Sequence, residues 1–144
     1  MKKCEDVFEI AKLFLGKYKF REDYDFLIVD FHGETTSEKM AMGYFFDGKA
    51  TLLVGTHTHI PTNDCRILTN GTAYLTDAGM CGDYDSVIGM NKINSLNRFL
   101  KKESKKHYPA EGEATLSGLI VECNTSNGLA KKVETFIHGG ELTK

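Results

Sequence analysis

Three of the five histidines, His32, His57 and His59, fall within 28 residues of a 144-residue chain, where an even spread would place about one. Two of them form an H-x-H pair inside Gly55-Thr56-His57-Thr58-His59. In extended backbone, residues i and i+2 project to the same side about 6.5–7 Å apart. That spacing lets one imidazole serve each of two metal ions about 3.5–4 Å apart. Neutral imidazole suits zinc, iron, manganese and similar ions, and an acceptor on its other nitrogen fixes the tautomer. Asp30, Glu34, Asp64 and Asp77 are the nearby candidates for that acceptor. A hydrolytic two-metal site also needs oxygen ligands, because a bridging carboxylate lowers the repulsion between the ions. Nothing in the spacing of the local acids singles one out.

The elements that must position these histidines are readable from periodicity. Residues 5–18 repeat apolar groups at i, i+3, i+4 and i+7, which predicts an amphipathic helix. Phe26-Leu27-Ile28-Val29 and Ala50 to Val54 are short apolar runs, expected as strands buried on both faces of a parallel or mixed sheet. The first strand runs on to Phe31 and His32 directly follows it, and the H-x-H pair follows the second. Ligands of open α/β sheets gather at such carboxyl ends. Thr35 to Glu38 offers N-cap residues for a helix running to Phe46. Asn70-Gly71 and Asn127-Gly128 predict two hairpins. A glycine-bearing loop spans 77–90, long enough to be functional and a candidate lining for a substrate cleft. Residues 91–106 read as a last helix. The order is α, β, α, β, hairpin, α, hairpin: a layered α/β domain.

Composition narrows the function classes. Acids exceed bases by 20 to 18, a balance that argues against a generic nucleic-acid binder. The run Lys101 to Lys106 reads as a solvated helix end favoured by the helix dipole. No run of 18 apolar residues exists to span a membrane, and no apolar region follows Lys2-Lys3 as in a secretory signal. Cys4, Cys65, Cys81 and Cys123 contain no C-x-x-C pair and read as reduced thiols of a cytoplasmic protein. The 77–90 loop lacks Walker spacing, which excludes a P-loop, and Ser86 lacks a nucleophile-elbow setting, which argues against a serine hydrolase. His107 and His138 lie far along the chain and read as bystanders.

Three blocks carry a resemblance. Asp30-Phe31-His32-Gly33-Glu34-Thr35-Thr36-Ser37-Glu38-Lys39, Gly55-Thr56-His57-Thr58-His59, and Gly71 to Met80 followed by Tyr84 to Met90 closely resemble the YmdB-type bacterial phosphodiesterases. These are a branch of the calcineurin-like metallophosphoesterases. The resemblance runs from about residue 5 to 138, and Gly-Thr-His-Thr-His resembles the superfamily's closing G-H-x-H motif. It implies an α/β/β/α sandwich with a mixed sheet, of which residues 1–144 form the C-terminal portion. It implies that His32 and His57 are ligands of one metal ion and His59 of another, with iron or manganese as the pair. It further implies cyclic-nucleotide phosphodiester substrates, hydrolysed by in-line attack of a hydroxide held between the two ions. The family's first half, with an early Asp, a Glu-Asn pair and an Asn-His pair, has no match here. Gly33 stands where relatives often have Ala, a difference expected to matter little.

Two expectations follow. In one, the chain is a phosphodiesterase fragment that builds half an active site and is completed by a separately encoded N-terminal half. In the other, it is an inactive remnant that serves as an interaction or homo-oligomerisation module.

Overall fold

The computed structural model describes residues 6–103 and 106–143. Helix α1 (Val7–Lys17) starts where Asp6 accepts hydrogen bonds from the Phe8 and Glu9 amides, and it buries Ala11. Strand β1 (Ile28–His32) leads into α2 (Thr36–Phe46), capped by the Thr35 hydroxyl on the Glu38 amide. Strand β2 (Leu52–Thr56) follows. The first hairpin is β3 (Arg66–Ile67) and β4 (Ala73–Leu75), turning at Asn70-Gly71 as expected. Gly71 has φ +101°, a conformation that Asn-Gly turns supply. After it come β5 (Gly82–Asp83), α3 (Lys92–Phe99), β6 (Ala114–Cys123), β7 (Ala130–His138) and a short 3₁₀ turn.

The strands form two sheets. The first is mixed, in the order β1-β2-β4-β3, with β1, β2 and β4 parallel and β3 antiparallel. The second is antiparallel, in the order β5-β6-β7. The mixed α/β architecture expected from the element order is therefore present. Ala11, Met42, Phe46, Ala50, Leu53, Leu68 and Tyr74 form the core between the helices and the first sheet. The second hairpin docks on that sheet: the Ala130 amide donates to Gly71 O, and the Thr51 hydroxyl donates to Gly128 O.

Two expectations need correction. Strand β1 was expected to be buried on both faces, but it is the edge of the mixed sheet, and Ile28 is 67% exposed. Burial on both faces requires a covering layer on each, and among the described residues none covers Ile28. The last helix was expected to reach residue 106 but ends at Phe99. Lys101 adopts φ +55°, and a left-handed residue stops a helix. Part of the basic run, residues 104–105, lies outside the described residues, as does Cys4. Cys65, Cys81 and Cys123 are free thiols. No helix among the described residues is long and apolar enough to cross a membrane.

Candidate metal centre

The parallel register of β1 and β2 places His32 opposite Thr56, so both histidine segments leave the sheet at one edge of its carboxyl end. His32 Nε2 lies 3.2 Å from His57 Nδ1, with the rings at 75°. On its other side, His32 Nδ1 lies 3.2 Å from the Thr56 hydroxyl, which donates to Asp30 Oδ1 at 3.3 Å. Asp30 can only accept when ionised, so the hydroxyl is left to accept from an Nδ1–H on His32. That order puts the free lone pair of His32 at Nε2, facing His57. Two nitrogens bound to one ion at about 2.0–2.1 Å each would sit about 3–3.4 Å apart. The observed separation fits a shared ion, and without one the same pair makes an N–H···N hydrogen bond. Among the described residues, no three His, Cys, Asp or Glu side chains gather into a metal-holding group. The structure thus brings together His32 and His57, while His59 makes no third member.

The H-x-H loop is held by its backbone. His57 has φ +149° and His59 φ +65°, conformations that cost an L residue about 1–3 kcal/mol each. Between them, the Thr58 amide donates to Asp77 Oδ2 at 2.9 Å, and the Thr58 hydroxyl donates to Ile60 O. Asp77 also accepts from Lys39 Nζ at 2.9 Å and, on Oδ1, from the Gly79 amide at 3.0 Å. The side chains of Lys39 and Asp77 are 0% exposed. Burial pushes the Asp77 carboxyl up, but the Thr58 amide, the Lys39 ammonium and the Gly79 amide outweigh it and hold it below the ordinary carboxylate range. Gly55 is required where the loop begins: a Cβ there would fall 1.9 Å from Thr76 O and 2.8 Å from Lys39 Cδ.

Of the four candidate acceptor acids, Asp30 reaches His32, through Thr56. Asp77 holds the loop backbone instead of an imidazole. Asp64 is tied to Thr62, Thr76 and Arg66. Burial raises its carboxyl, and the hydroxyls, the Thr76 amide and Arg66 bring it net below its ordinary range. Glu34 is exposed. In the 77–90 loop, the amides of Gly79, Met80, Asp85 and Gly89 already donate to Asp77, Tyr84, Asp83 and Ser86. Those four are not free to cradle a phosphate. Sequence reasoning missed Thr56 and Lys39. Lys39 had a signal: with Met42, Gly43 and Phe46 it completes the i, i+3, i+4, i+7 stripe that α2 buries.

These features define a class, mixed α/β domains that present histidine loops at the carboxyl ends of neighbouring parallel strands. Within that class the chain belongs to the YmdB-like family, whose model, described as YmdB-like protein, matches residues 1–136. It is 44% identical over 112 residues to a 2′,3′-cyclic-nucleotide 2′-phosphodiesterase of Bacillus subtilis, covering 78% of this chain and 42% of that protein. It is 45% identical over 125 residues to a putative phosphatase/phosphodiesterase of Mycoplasma genitalium, covering 85% and 43%. A crystal structure of a novel phosphatase from Mycoplasma pneumoniae superposes with TM-score 0.85 at 38% identity, covering 95% of this chain and 48% of that one. A hypothetical protein from Thermus thermophilus gives TM-score 0.84 at 33% identity, covering 98% and 54%. The chain spans less than half the length of the curated relatives it matches.

Proposed function

We propose that this chain is the C-terminal portion of a metal-dependent phosphodiesterase domain that acts on cyclic nucleotides. His32 and His57 are the ligands of one ion, and His59 serves a second, iron or manganese in each case. The observation that carries the reading is the 3.2 Å approach of His32 Nε2 to His57 Nδ1 at the mouth of two parallel strands. When bound, such ions polarise phosphoryl oxygens and supply an activated water. Asp30 and Thr56 set the tautomer of His32, so that Nε2 presents its lone pair without rearrangement. The names of the relatives support the substrate class. Three neutral imidazoles make too small a donor set for two cations, so the remaining ligands come from a further segment, on this polypeptide or a separate one.

Titration with Mn²⁺ and turnover of bis-p-nitrophenyl phosphate test this. The chain alone is expected to bind at most one ion, weakly, and to be inactive. A polypeptide spanning the other half of a relative is expected to raise both signals, and His57→Ala to remove the gain. Robust turnover by the chain alone, lost in His57→Ala, would overturn the need for further ligands. Absence of Mn²⁺ binding with and without the added half would overturn the metal reading.

A second reading, an interaction or homo-oligomerisation module, is favoured by one observation: the open β1 edge beside an apolar groove of about 580 Å³ lined by Val7, Ile10, Phe14, Ile28 and Phe31.

A further inference from the structure

We infer that the buried Lys39–Asp77 pair is the positioning device of the candidate metal centre, fixing both histidine segments from beneath. The reasoning starts from a cost. A buried ion pair gives up the hydration of two charges, and a well-packed apolar pair in its place is often as stable or more so. Stability alone therefore does not account for a lysine and an aspartate that are both 0% exposed. What the charges supply is direction. Asp77 Oδ2 takes two donors at 2.9 Å, Lys39 Nζ and the Thr58 amide, while Oδ1 takes the Gly79 amide. Thr58 is the residue between the two candidate ligands of the H-x-H pair. Its neighbours hold positive φ, a conformation that relaxes unless something over-determines it. The Thr58 amide bond to a fixed carboxylate is such a restraint.

The lysine stem does the complementary work. A Cβ on Gly33, directly after His32, would lie 3.3 Å from Lys39 Cγ, and one on Gly55, two residues before His57, would lie 2.8 Å from Lys39 Cδ. The stem thus runs under both strand ends and sets their spacing, while the ammonium locks Asp77. One side chain on α2 thereby couples β1, β2 and the Asp77 loop. Lys39 and Asp77 are positioning residues; neither side chain is placed among the candidate ligands.

This inference rests on the proposed metal reading for its purpose, but its test runs on metal-free protein. Three variants are compared by amide hydrogen exchange and by histidine ring ¹⁵N shifts. Asp77→Asn weakens the acceptor. Lys39→Met with Asp77→Val replaces the pair with apolar groups and keeps the protein folded if the single variant does not. Leu68→Ala is the control, a core truncation away from the loop. The expected result is Thr58 exchange at least about tenfold faster than in the control at equal global stability, with shifted His57 and His32 ring signals. Mn²⁺ affinity, where the wild type binds it, is expected to fall about 10–100-fold. Thr58 exchange and ring signals that match the control in both pair variants would overturn the inference. Failure to bind Mn²⁺ both with and without the added half would overturn the metal reading, and exchange and ring signals would still decide the positioning role.

Discussion

The floor beneath the H-x-H loop and the outer edge of the same sheet are opposites. Under the loop, Lys39 and Asp77 are fully enclosed, and both carboxylate oxygens of Asp77 are occupied. At the other side, β1 leaves Ile28 67% exposed, against the apolar groove next to α1. A chain that completes its polar network but leaves an apolar strand at the edge has finished one side of its sheet only. Charges are enclosed where geometry must be held, and apolar surface is left open where another surface can still be added.

The sharpest way to break that contrast is to open the floor. Lys39→Met leaves the Asp77 carboxylate buried with one partner fewer, and a loss of about 3–5 kcal/mol is expected, measured by urea unfolding. Ile28→Ala removes as many carbon atoms as the core truncation Leu68→Ala, yet its site is largely in water. It is expected to cost under about 1 kcal/mol. Equal losses for the two variants would erase the distinction between the regions.

The next effect is in acid. Asp77 and Asp64 both sit below their ordinary range in the fold. The folded state therefore binds fewer protons than the unfolded chain, whose aspartates titrate near about 3.9. The stability these two supply is fully present above that value and drains away as pH falls through their lowered folded values. Asp77→Asn is expected to flatten the acid limb of a stability–pH profile and leave its shape above about pH 5 unchanged. An acid limb identical to the wild type would remove Asp77 from the account.

What the sequence made legible was local. Helix α1, the two Asn-Gly turns and the strand-end placement of His32 and His57 all follow from patterns within a dozen residues, and the structure has them. Exposure of Ile28 was not legible, because an apolar strand looks the same whether a neighbour covers it or not. Thr56 was not legible as the partner of His32, because their meeting depends on the register of two parallel strands 24 residues apart. Lys39 lay in between. Its place on the apolar stripe of α2 marked it, but only the fold shows that Asp77 receives it.

The smallest expected effect on stability comes from marking the open edge itself. Lysine on an edge strand discourages further pairing by placing a charge that a new neighbour would have to desolvate. At Ile28 the side chain is already largely solvated, so Ile28→Lys is expected to change unfolding free energy by no more than about 0.5 kcal/mol. Its effect on association is the informative part. If the edge and groove pair two copies of this chain, sedimentation velocity will show the wild type as a concentration-dependent dimer and Ile28→Lys as a monomer. If they receive a different polypeptide, both will be monomers alone. The added half of a relative will then bind the wild type and not the variant. A wild-type dimer that Ile28→Lys leaves intact would mean that association uses another surface. The contrast between a closed floor and an open edge would then lose its functional side.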